Sequence, residues 1–316
     1  MIYSPYTQLP TLAELRAVAL TIRRRTRSRH GAWSDPGRER APDERLLGMM
    51  GDPFDSVSDV SERLGAVETY LRDRGDRRSV FLTVYTEMTA NVHDGIESGA
   101  FDDPEWVRDY LVAFADRYRT ALVASERGNP AEVPVAWQLA FDASTSGDTI
   151  LIQDALLGVS AHINYDLTYA LRDVEIDPER PSKLRDHNRI NGILQQLVDV
   201  VQRALADVYD ASGYTRVDEL LGSLDEEFTL IGLKEARSLA WRNAVLLTDT
   251  ESRLIRRFVH WRVEAVSTGA GHFILAPSTD QSVIRALRNI ERERVPMDPL
   301  REAFHRRLRE RVIEID

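Results

Sequence analysis

The sequence predicts an all-α protein, a single large multi-helix domain of orthogonally packed helices around one core. Three observations lead there. Apolar residues recur at helical spacing through most of the 316 residues, which is how a helix presents one face to a core. The few β-like stretches, such as Gly271-His272-Phe273-Ile274-Leu275, are too isolated to pair into a sheet. No internal repeat and no sustained heptad is present, which argues against a solenoid or a coiled coil.

The elements follow in order. A first helix begins near Thr11, with Leu12, Leu15, Val18, Ala19 and Ile22 as its stripe, and ends in the basic cluster Arg23-Arg24-Arg25-Thr26-Arg27, read as a solvated face. Residues 30–55 are rich in Pro, Gly and charge, as in Asp35-Pro36-Gly37 and Ala41-Pro42-Asp43, and are expected to form a mobile loop or linker. Helices are then predicted over 57–73, on Val60, Leu64, Val67 and Leu71, and over 78–97. Asp103-Pro104-Glu105 is a helix start, with Asp as cap and Pro at the first position. A shorter segment carries Trp137, Ala140 and Phe141. Asp148 is expected to open a central helix holding Ile152, Ala155, Leu156, Val159, Ile163 and Leu167. After the Pro178 and Pro181 connection, Ser182 or Asp186 is expected to cap a long helix that ends at Gly213. Helices over 224–247 and 249–266 follow, with a break at Gly269-Ala270-Gly271, and short helices from Gln281 and Pro299 finish the chain. These breaks divide the chain into an N-terminal helix and linker (1–55), a main helical domain with the candidate site (56–270) and a C-terminal helical extension (271–316).

Composition limits the functions available. The chain is 43% hydrophobic and 29% charged, enough to bury a substantial core. No apolar run approaches the ~20 residues that span a bilayer, and the start Met1-Ile2-Tyr3-Ser4-Pro5 lacks the basic region and apolar core of a secretory signal. With no cysteine, disulfides, thiolate zinc sites and cysteine nucleophiles are excluded. The expected compartment is therefore the cytoplasm. A formal net charge of -10 predicts neither nucleic acid nor an anionic membrane as partner. Of 41 basic residues only Lys183 and Lys234 are lysine, a bias that points to a GC-rich source more than to a mechanism.

The chemistry-bearing residues sit on three of these helices. In Leu157-Gly158-Val159-Ser160-Ala161-His162-Ile163-Asn164-Tyr165-Asp166-Leu167, His162 and Asp166 lie one turn apart on one face, with Cβ atoms roughly 5–6 Å apart, inside an apolar pattern. Gly158 and Ala161, on nearly the same face, let another helix approach closely. A polar pair on a packing face requires a partner, because unpaired burial is expensive. An imidazole nitrogen and a carboxylate oxygen suit a divalent zinc, manganese or iron ion. The same pair also reads as an Asp-oriented histidine in a satisfied core network.

In the second helix, Asp186 reads as an N-cap, or as a third oxygen ligand if that helix end lies beside His162. His187 and Asn191, one turn apart, line the same space. In the third, Glu87, Asn91 and Asp94 form a polar stripe. Glu87, among Val84, Tyr85 and Met88, is an outside candidate to complete a mononuclear site. Arg256, His260 and Glu264 read as a surface salt-bridge ladder. The phosphate-binding Gly-Lys-Ser/Thr loop, G-x-G-x-x-G, G-x-S-x-G, H-E-x-x-H and paired E-x-x-H helices are all missing.

These residues together resemble an uncharacterised domain-of-unknown-function family of bacterial, archaeal and fungal proteins. The matching features are Tyr85-x-x-x-Thr89, Gly99-x-Phe101-x-Asp103-Pro104-x-Trp106, Phe114-Ala115-x-x-Tyr118-x-x-Ala121 and Pro134-x-x-Trp137. The most specific is Leu157-Gly-x-x-Ala161-His162-Ile163-Asn164-x-Asp166-Leu167, followed by Asp186, Asn191 and Ala236-Arg237-x-x-Ala240-Trp241. The resemblance spans about 57 to 250, carries no activity, and implies that His162, Asp166 and Asp186 are central. The His162 helix is also similar, more distantly, to the metal-binding helices of all-α zinc phosphoesterases. Those enzymes use several more His and Asp ligands than this chain, with seven scattered histidines, offers.

Two functions are therefore expected in alternative. One is a metal-dependent hydrolase, or another small-molecule enzyme, with His162 and Asp166 catalytic and His162, Asp166, Asp186 and Glu87 holding one divalent ion. The other is a non-catalytic module that binds an apolar ligand or a protein partner, as a monomer or a homodimer, with Trp106, Trp137, Trp241 and Trp261 lining a cavity and His162 and Asp166 a structural pair.

Overall fold

A computed structural model describes residues 41–211 and 232–275, together with scattered positions between 284 and 306. The helix expected from Thr11, the arginine cluster at 23–27, Gly213 and the helix starts expected at Leu224, Gln281 and Pro299 lie outside the described residues. Within them the chain forms ten α-helices packed in one domain, and no strand.

The first, α1 (Glu44–Met50), is capped by Asp43, whose carboxylate accepts the Leu46 N–H at 3.1 Å. It replaces part of the loop expected over 30–55. Its Leu46 and Met50 are one turn apart and fully buried, and it packs on α2 and α4. Flanking Pro and charged residues masked this short apolar stripe. In α2 (Val57–Asp73), capped by Ser56, Val60, Leu64, Val67 and Leu71 turn inward as predicted. It packs along α3 (Ser79–Glu97). Asp103 caps α4 (Pro104–Glu126), with Pro104 in the first turn, where no intrahelical N–H is needed. Gly147, at φ 65°, stops α5 (Val135–Ser146).

The centre of the molecule is one continuous helical path: α6 (Leu151–Ala161), a π-turn over His162–Asp166, and α7 (Leu167–Asp173). The α6 stretch rests against α3, α5 and the helix over Arg253–Leu275, and α7 against α4 and the helix over Leu233–Asp249. It starts three residues after Asp148, with Ile150 at the cap position. Close packing here is set by glycine. A Cβ on Gly158 would stand 2.4 Å from Cγ of Phe81 on α3, so the expected close approach at Gly158 is realised.

The long α8 (Arg180–Ala211) begins before either expected cap. The last two described helices are α9 (Leu233–Asp249) and α10 (Arg253–Leu275). The expected break at Gly269-Ala270-Gly271 does not occur, and the expected β-like stretch from Gly271 is helical. Glycine in a helix interior costs about 1 kcal/mol relative to alanine. Packing overrides that here, since a Gly271 Cβ would lie 3.1 Å from Leu139. The expected boundary at 270/271 therefore falls inside α10. No described helix is long and apolar enough to cross a membrane.

Candidate functional site

The π-turn puts His162 and Asp166 together. His162 Nδ1 donates to Asp166 Oδ2 at 2.8 Å, and the Trp137 indole N–H from α5 donates to the same oxygen at 2.8 Å. A carboxylate beside Nδ1 fixes the proton there and leaves a lone pair on Nε2. That Nε2 is buried and has no hydrogen-bond partner among the described residues. The ring is enclosed by aromatics. Phe114 stacks on it with centroids 3.5 Å apart, Tyr85 meets it edge-on at 4.6 Å, and Phe81 and Trp137 lie at 5.9 and 6.0 Å. The side chain is about 3% exposed. Burial holds the His162 pKa below 6.5 against the opposing pull of Asp166, so the ring is neutral at pH 7.

Asp186 and Glu87 do not join this pair. Asp186 is not a helix cap. It lies inside α8, fully buried, and reaches the start of α4, where its two carboxylate oxygens accept the Asp102 and Asp103 N–H groups at 2.9 and 2.8 Å. Arg189 donates to it at 2.6 Å. Glu87 is half-buried on α3, where its carbonyl accepts the Asn91 amide at 2.7 Å. Among the described residues no three His, Asp or Glu side chains are grouped to hold a metal ion. The four-residue ligand set His162, Asp166, Asp186 and Glu87 is thus not assembled among the described residues, and the Asp186 carboxylate serves the start of α4 instead. His260 also departs from its expected ladder: its Nδ1 pairs with the Tyr169 hydroxyl at 2.9 Å.

Beside the histidine pair lies a small cleft of about 20 Å³, room for about one water molecule, partly open to solvent. It is lined by Tyr85, Met88, Thr89 and Val92 of α3, by Val107, Tyr110, Leu111 and Phe114 of α4, by Ile190 of α8 and by Arg237 of α9. Tyr85 and Phe114, which contact the His162 ring, also line the cleft. None of the four tryptophans expected to line a cavity is among the residues of this cleft. Trp106, Trp137 and Trp241 are core, and Trp261 is exposed beside Phe258 and Leu254.

Arg237 borders the cleft and is 1% exposed. Its Nε donates to Asn191 Oδ1 at 2.7 Å and its Nη2 to the His187 carbonyl at 2.6 Å. His187 sets its own tautomer: Nε2 faces the Arg237 carbonyl at 3.3 Å and donates to it. Nδ1 is then left as acceptor, 3.1 Å from the Tyr110 hydroxyl. Burial and the Arg237 charge push the His187 pKa well below 6.5. The sequence placed His187 and Asn191 together on one face but assigned Arg237 no role. In a chain where nearly every basic residue is arginine, one more carries little signal. What could have marked it is its apolar setting, Ala236-Arg237-Ser238-Leu239-Ala240-Trp241.

The profile of DUF5995, described as a family of unknown function, matches residues 57–277. The chain belongs to that family. The matched stretch takes in the His162–Asp166 pair, the cleft and Arg237, so both features lie within the DUF5995 region. Neither the curated proteins nor the solved structures provide a match.

Proposed function

We propose that this DUF5995 protein binds a small, largely apolar molecule in the cleft between α3, α4, α8 and α9, and that His162 and Asp166 are a structural pair. The observation that carries this reading is the contrast between the two places. The cleft has apolar walls and an opening, as a small-molecule site does, in a space of about 20 Å³ that a ligand would have to widen. His162 is sealed under aromatic rings, with no position within about 3 Å of Nε2 open to a substrate atom, where a general base must act. Neutral octanamide, followed by ligand-observed NMR, tests the reading. Binding to the wild type and its loss in the cleft-filling variant Val107→Phe are expected. Binding that survives the variant, or none to the wild type, overturns it. Homodimer formation accompanies this reading as a separate proposal, and sedimentation across a concentration range tests it.

A second reading retains the enzyme. It is favoured by the partnerless Nε2 and by the π-turn, a distortion frequent at functional sites. His162 would then act as a base oriented by Asp166, or as a ligand to zinc, manganese or iron in a hydrolase. Elemental analysis of untagged protein, alongside His162→Ala and Asp166→Ala, decides this. Stoichiometric metal lost in both variants establishes it. Absent metal, with both variants merely less stable, leaves the structural pair.

A further inference from the structure

We infer that the first turns of α10 dock this protein on an anionic lipid surface, with Leu254, Phe258 and Trp261 entering the headgroup layer and the arginines beside them meeting lipid phosphates and carboxylates. The inference goes beyond the cleft and is independent of it.

The argument starts from exposed apolar area. Single apolar residues scattered over a surface are ordinary, whereas a cluster of large ones marks a contact. Among the described residues the exposed large hydrophobic side chains are Leu254, Phe258 and Trp261, at 78%, 49% and 48%. Their spacing, i, i+4 and i+7, makes one stripe along the helix. The Phe258 and Trp261 rings stand 5.9 Å apart, so the stripe is continuous. The core does not use it, since Val259 and Val263 of the same turns are the residues that pack on Tyr169 and Leu246.

Charge names the partner. Residues 253–262 hold Arg253, Arg256, Arg257 and Arg262 and no acid, in a chain whose net charge is -10. The Arg262 guanidinium lies 5.3 Å from the centre of the Phe258 ring, on one flank of the stripe, and helical geometry puts Arg253 and Arg257 on the other. Among the described residues no ion pair with an acid engages Arg253, Arg256 or Arg257. The first turn of a helix favours acids, because the positive end of its dipole is there. The first turn of α10 has none and carries Arg253 and Arg256 instead. Positive charge placed against the helix's own stability is explained by an anion outside the protein. Arg172 of α7, which with Arg117 of α4 pairs with Asp173, is close enough to Arg256 for the two charges to oppose each other.

The total charge, which argues against an anionic membrane, averages over this cluster. At about 0.15 M salt a charge acts over about 8 Å, so acids elsewhere on the molecule do not cancel it. A second copy seated symmetrically on the stripe would set arginine against arginine. A bilayer answers each feature: phosphates meet the arginines, aromatic rings sit at headgroup level, and a helix lying in the plane offers its whole stripe.

The test is cosedimentation of the full chain with vesicles of phosphatidylcholine alone and of phosphatidylcholine with one third phosphatidylserine. Binding to the anionic vesicles is expected to be about tenfold or more tighter, and to weaken as salt is raised. Each arginine at such a surface strengthens binding about fivefold, so Arg253→Gln with Arg257→Gln should weaken it about 25-fold. Phe258→Ser with Trp261→Ser should abolish it. The comparison of the two vesicles with the wild type stays decisive if a variant does not fold. Equal binding to both vesicles overturns the inference, as does binding that survives both folded variants. Binding to neither overturns it as well. Sedimentation velocity of the wild type and the Phe258→Ser, Trp261→Ser variant then shows whether the stripe joins two copies, and polyglutamate binding whether it takes an acidic protein.

Discussion

Single residues decide how tightly the centre closes and how it responds to pH. Gly158 has no side chain because Phe81 occupies the place of its Cβ, with ring carbons at 2.4 and 2.5 Å. Gly158→Ala gains helix propensity but forces the Phe81 ring or α6 to move. It is expected to destabilise the protein by about 1–3 kcal/mol, the range for overpacked cores, read by urea unfolding. His162 and His187 make the pH prediction. Burial holds both below 6.5 in the folded protein. As pH falls below about 6.5, the unfolded chain takes up protons that the folded one refuses, so stability drops. Each histidine contributes a slope of up to about 1.4 kcal/mol per pH unit until its folded pKa is reached. His162→Gln should reduce the steepness of stability against pH between 7 and 5. An unchanged slope would mean that the ring accepts a proton in the folded state.

At the scale of elements, polar side chains join helices whose apolar stripes alone leave their mutual position loose. Asp186 is the clearest case. Both its oxygens bind the backbone where α4 begins, so α8 holds the entry to α4 and thereby one wall of the cleft. Asp186→Ala leaves the Asp102 and Asp103 N–H groups without that acceptor. It is expected to cost about 2–4 kcal/mol, from loss of hydrogen bonds to a charged group, and to increase amide exchange at the start of α4. Exchange unchanged there would show that the junction is held by something else. The Trp137–Asp166–His162 chain plays the corresponding part between α5 and the π-turn.

Over the whole molecule, buried charges tie remote parts of the sequence to the central helix. Arg77 donates to Asp154 of α6 at 2.6 Å and to Glu291 at 3.3 Å, and Glu291 accepts the Leu151 N–H that opens α6 at 3.0 Å. Glu291 lies beyond the DUF5995 match, which ends at 277. Glu291→Ala removes one acid from a buried network and is expected to destabilise by about 3–5 kcal/mol, measured by chemical denaturation. A value near zero would mean that the matched region holds its central helix alone.

What the sequence determined by itself is what local physics controls. The stripe Val60, Leu64, Val67, Leu71, the Asp103-Pro104 start and the facing of His162 toward Asp166 are all written within a few neighbouring residues, because helical periodicity and capping act over one or two turns. The tertiary structure decided the rest. Asp186 reads as a cap until α4 brings it two backbone donors. Gly271 reads as part of a break until Leu139 presses on the helix there. Arg237 reads as one arginine among many until α8 buries it and brings it the Asn191 amide oxygen and the His187 carbonyl. In each case the deciding group comes from a distant part of the chain. Burial and charge pairing depend on which helices meet, and periodicity along one helix carries no record of that.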